Sequence, residues 1–527
     1  MNRIYTYLLI LCFGLYFTSC DVDVENPNEG TVNSFWKTEQ DAQYGLTSVY
    51  NYFYKPNTFS RWIWFRLDLT SDEGFSQSPW AELKEWTQFA YGNYNFGEGN
   101  KWTLEAFYVA IFRANQVLHY VPTIEFQDEA KKKEILAQAY FLRGFYYYYT
   151  ALLWGSENKS LAIMLETELP QPQDRPEGHT GQELYEQAIA DFTSALEYNI
   201  PEEWSGNNQG RATKGATLAF RAKAYMQLHE YEKAKQDLSW LVEGDGKKYY
   251  GLTTNYFDNF DKDKEYNIES VFEIGFSDIH LDPAGDSDDS LNPNLGLNRG
   301  QFFAPPGIGW TDGELRPWLV DEFKKERDND GKYDIRLRYT AFYEGMEKDF
   351  ENNSRIYKFT SDAKTWGQDN WKGRVFFRKY GSDYFRDYDD YYNPTNVRLV
   401  RYADILLMYA ECIAETGGSL TTAANYVNQV RARVNMPPLS KNHPNATANF
   451  QNFMKRLQME RVHELATEGH RWADIKRWGL LDTQEGIEEL KSRDADFKNF
   501  IIGKHNCLPI PSDEINNNPN VGQNPKY

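Results

Sequence analysis

The chain has 527 residues, with 57 Lys and Arg against 77 Asp and Glu, a formal net charge of −20. A surface this acidic repels phosphate backbones, which excludes nucleic-acid binding as a main role. Hydrophobic residues make up 41% and charged residues 25%, which excludes a disordered chain, and the 16% of aromatics exceeds what core packing needs, so exposed rings for a sugar or protein surface are expected.

The first element is a leader. Arg3 precedes an apolar run from Ile4 to Phe17. The run falls short of the roughly 20 residues of a membrane-spanning helix and reads as a secretory signal. It ends in Phe17-Thr18-Ser19-Cys20, the pattern of a bacterial lipoprotein signal with Phe17 where Leu is usual. Residues 1–19 are therefore assigned as signal peptide, Cys20 as the lipidated first residue, and 20–33 as a flexible acidic tether. No later segment has transmembrane length and apolarity. Cys12 leaves with the leader, so Cys412 and Cys507 alone remain for the mature body, too few for a disulfide framework or a four-thiolate zinc site.

Residues 34–245 carry helical periodicity. Thr38 and Asp41 form a capping box before Ala42, Leu46, Val49 and Phe53. Phe107, Ile111, Ala114 and Leu118 mark a second helix, and Ile135, Ala139, Leu142 and Tyr146 a third over about 131–153. Thr180 and Glu183 cap a fourth, with Leu184, Ala188, Phe192 and Ala195 on one face. After Gly210 to Gly215, small residues Ala216, Ala219 and Ala222 let a following amphipathic helix with Tyr231, Ala234, Leu238 and Leu241 approach closely. Such pairs are degenerate tetratricopeptide-like hairpins, which stack to bury a core that no single hairpin can make. Residues 246–397 are rich in Gly, Asn, Asp, Pro and Tyr and read as a long loop-rich insert on the scaffold. In 398–527 helices are expected at 400–415, 420–434 and 450–479, followed by Leu508-Pro509-Ile510-Pro511 and an Asn-rich coil. The fold class is mainly α.

Several segments, in order, resemble the SusD/RagB family across nearly the whole mature chain. Ser34 to Ala42, SFWKTEQDA, looks like the family's opening helix, and Arg113-Ala114-Asn115 like its "RAN". Ala139 to Tyr147, AYFLRGFYY, matches a further helix with Gly144 in place of Ala; Gly210 to Lys214 is "GRATK". Asp334 to Leu337, Arg401 to Glu411, Asn428 to Arg433, Glu460 to Leu465, Glu468 to Gly479 and Ile510 to Pro525 continue the match, with Lys526 where Gly is usual. The resemblance implies a SusD-like α-helical fold with tetratricopeptide-like hairpins. It implies an outer-membrane nutrient-uptake lipoprotein that binds glycans without chemistry, beside a SusC-like TonB-dependent barrel. Some members take peptides or glycopeptides, which is the alternative ligand class.

Enzymatic motifs are wanting. His463-Glu464 is followed by Thr467 rather than a second histidine, and no P-loop, G-x-S-x-G elbow or dinucleotide loop is present. A glycoside hydrolase needs two carboxylates at set separation, and nothing in the sequence marks a pair. Glu326, Asp328, Asp330 and Asp334 imitate a calcium loop, but Leu337 stands where the bidentate Glu belongs; this stretch and Asp286 to Asp289 read as solvated turns, and no metal or cofactor is assigned. A sugar ring stacks its C–H face on Trp or Tyr, with carboxylates or amides meeting its hydroxyls. Two loop regions offer both, and the candidate ligand-binding residues are Asp72, Trp80, Trp86, Trp310, Trp366 and Trp371. At least two of the five tryptophans are expected to be exposed at one shared cleft.

Overall fold

The computed structural model describes residues 35–91, 97–167, 174–279, 295–351 and 355–527; Cys20, the tether and Asp286 to Asp289 lie outside them. Helix α1 (Glu39–Tyr50) opens on the expected capping box: Asp41 N–H donates to Thr38 Oγ1 at 3.2 Å and Thr38 N–H to Asp41 Oδ2 at 2.8 Å. Helix α2 (Trp62–Leu69) follows, buried at every residue. A helix buried all round has no polar face, and so no periodicity to betray it in the sequence. Strand β1 (Gly74–Phe75), α3 (Ala81–Thr87), α4 (Gly97–Tyr120) and α5 (Glu129–Trp154) complete the first part.

Helix α5 is the spine. It packs on α4 and on α6 (Gly181–Glu197), and its Phe141, Phe145, Tyr146 and Tyr149 reach a dense aromatic core. Gly144 has a steric reason: a Cβ there would lie 3.0 Å from the Ala188 carbonyl and 3.0 Å from Asp191 Cβ on α6. Next to it, Arg143 forks onto Asp191 with bonds of 2.9 and 2.6 Å and donates to Asn115 Oδ1 at 2.7 Å. Helices α7 (Lys214–Gln227) and α8 (Tyr231–Val242) form the next hairpin, α7 offering buried Ala216, Ala219 and Ala222. The hairpins stack in series, α6 on α7 and α8 on α10 (Tyr402–Glu415).

Among the described residues, two strand pairs stitch the insert to this scaffold. Strand β2 (Ser270–Ile274) pairs antiparallel with β4 (Val397–Arg401), Val397 opposite Ile274. Strand β3 (Glu314–Leu315) pairs with β1, Gly74 opposite Leu315. Between β2 and β3 lies the short helix α9 (Arg299–Phe303). After β4 come α10, α11 (Leu420–Arg433), α12 (Phe450–Leu465) and α13 (Arg471–Arg477).

Two helix expectations are corrected. Residues Val400 and Arg401 close β4, so α10 starts at Tyr402. The expected helix 450–479 breaks between α12 and α13, where Thr467 and Gly469 take φ of 67° and 78°. The break turns backbone groups towards the N-terminal part: Thr467 N–H donates to Glu73 at 3.1 Å and Gly469 N–H to Asp68 at 2.9 Å.

Charged residues of the sequence motifs meet in a buried ionic hub. Arg401 donates to Glu269 at 2.6 Å, Glu464 at 2.8 Å and Glu468 at 2.7 Å. Glu464 also takes Arg336 at 3.0 Å and a close contact from Arg433, and Glu460 takes Arg336 and Arg431 at 2.7 and 2.6 Å. Lys379 closes the set on Glu468 at 2.8 Å. A second cluster ties α13 to α10 and α12 through Arg477–Glu411 at 2.9 Å and Arg461–Asp404 at 2.8 Å. Buried charges persist only when each is paired, and these pairs join segments far apart in the chain.

Candidate functional site

Three loops meet at one aromatic surface. The first runs from β1 into α3 and carries Ser78 and Trp80. The second follows α9 and carries Trp310 and Asp312. The third is the Tyr- and Asp-rich run from Asp383 to Tyr392. Their rings form a continuous chain of edge-to-face contacts. Trp80 meets Trp62 edge-on at 4.9 Å and Phe65 at 6.4 Å; Phe65 meets Phe302 at 5.4 Å; Phe302 meets Trp310 at 4.8 Å and Tyr391 at 5.9 Å. Trp310 and Tyr391 are themselves 5.9 Å apart. Trp310 is 54% exposed, Trp80 and Tyr391 are half-buried, and Phe302 beneath them is closed to solvent. Arg61 lies over the Phe302 ring at 4.9 Å. The result is a raised, edge-supported indole on a packed aromatic base.

The loop geometry is fixed by hydrogen bonds rather than by helix. Trp310 N–H donates to the Gln301 carbonyl at 2.9 Å and Asp312 N–H to the Phe302 carbonyl at 2.7 Å. Between them Thr311 sits at φ 58° with its hydroxyl on the Ala304 carbonyl at 2.9 Å. With the Gln301 amide turned to suit both neighbours, its oxygen accepts from Trp310 Nε1 at 3.2 Å and its nitrogen donates to the Asp389 carbonyl at 2.8 Å. Gln301 thus braces Trp310 against the third loop. Across the first loop, the Ser78 hydroxyl donates to Asp312 Oδ1 and accepts the Trp80 N–H at 3.0 Å. Ser78 and Asp312 therefore form a strut, each two residues from one of the two tryptophans. Burial pushes the Asp312 carboxyl up, opposed by the Ser78 hydrogen bond and the Arg61 charge.

The six candidate residues separate. Trp80 and Trp310 lie on the one chain of rings just described, linked through Phe65 and Phe302. Trp86 is buried, packed edge-on against Trp62 at 5.8 Å. Trp366 and Trp371 are also buried, 5.3 Å apart and each against Phe376, with Trp366 Nε1 donating to Ser361 at 2.9 Å. These three rings have no face to offer a ligand; they make the small cores under α3 and inside the insert. Asp72 is buried as well, accepting from Arg471 at 2.7 and 2.8 Å and from Arg493 at 3.0 Å. Burial opposes its ionisation, but the two guanidiniums outweigh it and hold the carboxyl down at about 2. Asp72 is thus a scaffold anion and not a contact for sugar hydroxyls. The expectation of two or more freely exposed tryptophans reduces to Trp310 open and Trp80 half-open at one surface. Sequence reading missed Tyr391, Arg61 and the Phe302 base. The density of aromatics among the aspartates of 383–392 was the available signal for Tyr391.

The calcium-like loop is closed on itself. Asp328 Oδ1 accepts Asp330 N–H at 2.9 Å and Lys332 N–H at 2.8 Å, and Asn435 Nδ2 donates to Asp330 at 3.0 Å. Among the described residues no group of three or more His, Cys, Asp or Glu is placed to hold a metal ion. Among the same residues no helix is long and apolar enough to cross a membrane.

Comparison with known proteins places this architecture. The family model described as "SusD family" matches residues 268–527, and one described as "Starch-binding associating with outer membrane" matches 7–226. The chain is 26% identical to the SusD-like protein P38 of Formosa agariphila over 99% of this chain and 98% of that one. A SusD superfamily protein from Bacteroides vulgatus superposes with a TM-score of 0.79 at 24% identity, covering 94% of this chain and all of that one. The surface glycan-binding protein A of Bacteroides thetaiotaomicron, in complex with laminarihexaose, superposes with a TM-score of 0.70 at 20% identity over 93% of this chain and all of that one. With one family model matching residues 7–226, another matching 268–527, and a relative matched over nearly its whole length, this chain belongs to the SusD/RagB family.

Proposed function

We propose that the protein is a cell-surface, glycan-binding lipoprotein of the outer membrane. In this reading Cys20 carries the lipid, the Trp310 platform takes an oligosaccharide, and a SusC-like TonB-dependent barrel receives it. The observation that carries the reading is Trp310: a large ring, open on a braced loop, beside Tyr391 and joined to Trp80 through Phe302 and Phe65. A flat apolar ring with polar groups around it suits the C–H face and the hydroxyls of a pyranose. A structural relative whose ligand is laminarihexaose supports the ligand class. The role is binding and not catalysis. Among the described residues of the three loops, Asp312 is buried and tied to Ser78, Asp387 pairs with Arg355, Asp383 with Arg378, and Asp389 and Asp390 with Arg386, so these carboxylates are already engaged rather than set as an acid–base pair.

Calorimetric titration with laminarihexaose, maltohexaose, cellohexaose and xylohexaose tests this. Trp310→Ala should weaken the binding hexaose by roughly 5- to 30-fold, as expected for about 1–2 kcal/mol of exposed stacking, at unchanged melting temperature. Binding that is identical in wild type and variant, or binding of a peptide digest and of no glycan, refutes the reading.

A further inference from the structure

A second aromatic site lies away from the platform, centred on one strained tyrosine. Tyr266 has φ of 50°, a conformation that costs a bulky residue energy, and it is still 38% exposed. Burial therefore does not account for the strain. The ring lies along backbone that only glycine allows. A Cβ on Gly210 would come within 3.1 Å of the Tyr266 ring, and one on Gly275 within 2.4 Å of its hydroxyl. The backbone beneath is held by Glu273, whose Oε1 accepts the Tyr266 N–H at 2.9 Å and the Asn396 amide at 2.7 Å, and whose carboxylate pairs with Arg398 at 3.2 Å. The Tyr266 backbone is thus fixed to the β2–β4 ladder.

Two adjoining hollows, of about 320 and 160 Å³, flank this ring, and both are walled by Gln209, Gly210, Arg211 and Tyr266. The combined space falls in the range of small-molecule pockets. The larger hollow adds Trp204, fixed by its Nε1 on the Ala212 carbonyl at 2.8 Å, and Tyr249, whose hydroxyl donates to Glu202 at 2.8 Å. Glu202 is already neutralised by Lys214 at 3.0 Å. The lining therefore combines aromatic faces with amide and hydroxyl groups, with Glu202 and Lys248, each held in its own ion pair, and with charges of both signs in Arg211 and Glu203, which favours a polyhydroxylated ligand without net charge. We propose that this groove is a second saccharide site, in which a sugar ring stacks on Tyr266 and its hydroxyls meet Arg211, Gln209 and Glu202. It rests on the glycan-binding reading for its ligand class but shares no residue with the Trp310 platform.

Hydrogen–deuterium exchange of the full chain, with each of the four hexaoses at millimolar concentration, resolves the two sites. The expected result is several-fold slower exchange over 202–213 and 264–275 with at least one hexaose, besides slowing over 76–80 and 301–312. Tyr266→Asn, which keeps a residue tolerant of positive φ, should abolish the slowing at 202–213 and leave that at 301–312. Slowing confined to 76–80 and 301–312, or slowing at 202–213 that survives Tyr266→Asn, overturns the second site and leaves the platform standing. Slowing at 202–213 and 264–275 alone supports the second site and refutes the platform. No slowing anywhere with any hexaose refutes both.

Discussion

Glu73 stands next to Asp72 in the chain, yet the two carboxyls are driven apart. Asp72 is held ionised by Arg471 and Arg493, whereas burial, reinforced by the charges of Asp72 and Asp68, pushes Glu73 up to about 8 against the pull of Arg471. In the unfolded chain Glu73 titrates near 4.5. A carboxyl whose folded value is raised costs stability above its unfolded value, because folding at that pH must take up a proton. The cost begins near pH 4.5, grows with a slope of about 1.4 kcal/mol per pH unit and levels off once the folded carboxyl ionises. At pH 7 it amounts to about 3 kcal/mol. Glu73→Gln keeps an oxygen for the Thr467 N–H and removes the titration. The variant should therefore match wild type near pH 4.5 and become progressively more stable from pH 5 to pH 8. Guanidinium unfolding at a series of pH values measures the gap directly. A gap that stays constant across that range, or a variant less stable at pH 7 than at pH 5 relative to wild type, refutes the argument.

Four further outcomes follow from the geometry. Glu464→Ala leaves Arg336, Arg401 and Arg433 short of a shared buried acceptor and should cost about 3–5 kcal/mol, read as a large drop in melting temperature. Gly144→Ala improves helix propensity on paper, but its methyl meets Ala188 and Asp191 at 3.0 Å, so a net loss of about 1–3 kcal/mol is expected in the same assay. Ser78→Ala removes the strut between the Trp80 and Trp310 loops; hexaose affinity should fall several-fold while the melting temperature holds, and unchanged affinity would show that the strut does not set the platform. Cys20→Ala should release the chain from membranes or leave it unprocessed, as fatty-acid labelling and fractionation would show.

The scaffold was legible in the sequence because its physics is local. Thr38 with Asp41 and Thr180 with Glu183 announce their helices through capping groups three residues apart, and both boxes form. Helix α2 was invisible because a fully buried helix shows no period, and the break after α12 was invisible because its cause is distant: Glu73 and Asp68 lie about four hundred residues away in sequence. The same distance hid the site. Nothing near Trp366 or Trp371 in sequence shows that they pack on each other and on Phe376, and nothing near Trp310 shows that Phe302, itself backed by Phe65, supports it from below. Loop tryptophans with polar neighbours look alike in sequence; only long-range packing separates the three that fill cores from the one that stands open.

That long-range packing also links the motif residues to the platform. The kink between α12 and α13 places the Thr467 carbonyl where Arg299 donates to it at 2.7 Å, and Arg299 pairs with Asp68 at 2.9 Å. Arg299 is the first residue of α9, whose Gln301 and Phe302 carry the hydrogen bonds and the ring that hold Trp310. One residue further into the kink, Glu468 joins Arg401 and Lys379 in the ionic hub. The charged C-terminal motif thus supports the proposed platform from a distance: it fixes the turn that fixes α9. A stacking surface gains affinity when its ring is held in place before the ligand arrives, since little side-chain or loop entropy remains to be lost. Buried ion pairs are poor sources of net stability but good at specifying one arrangement among many, and here the specified arrangement is a rigid base under an otherwise exposed indole.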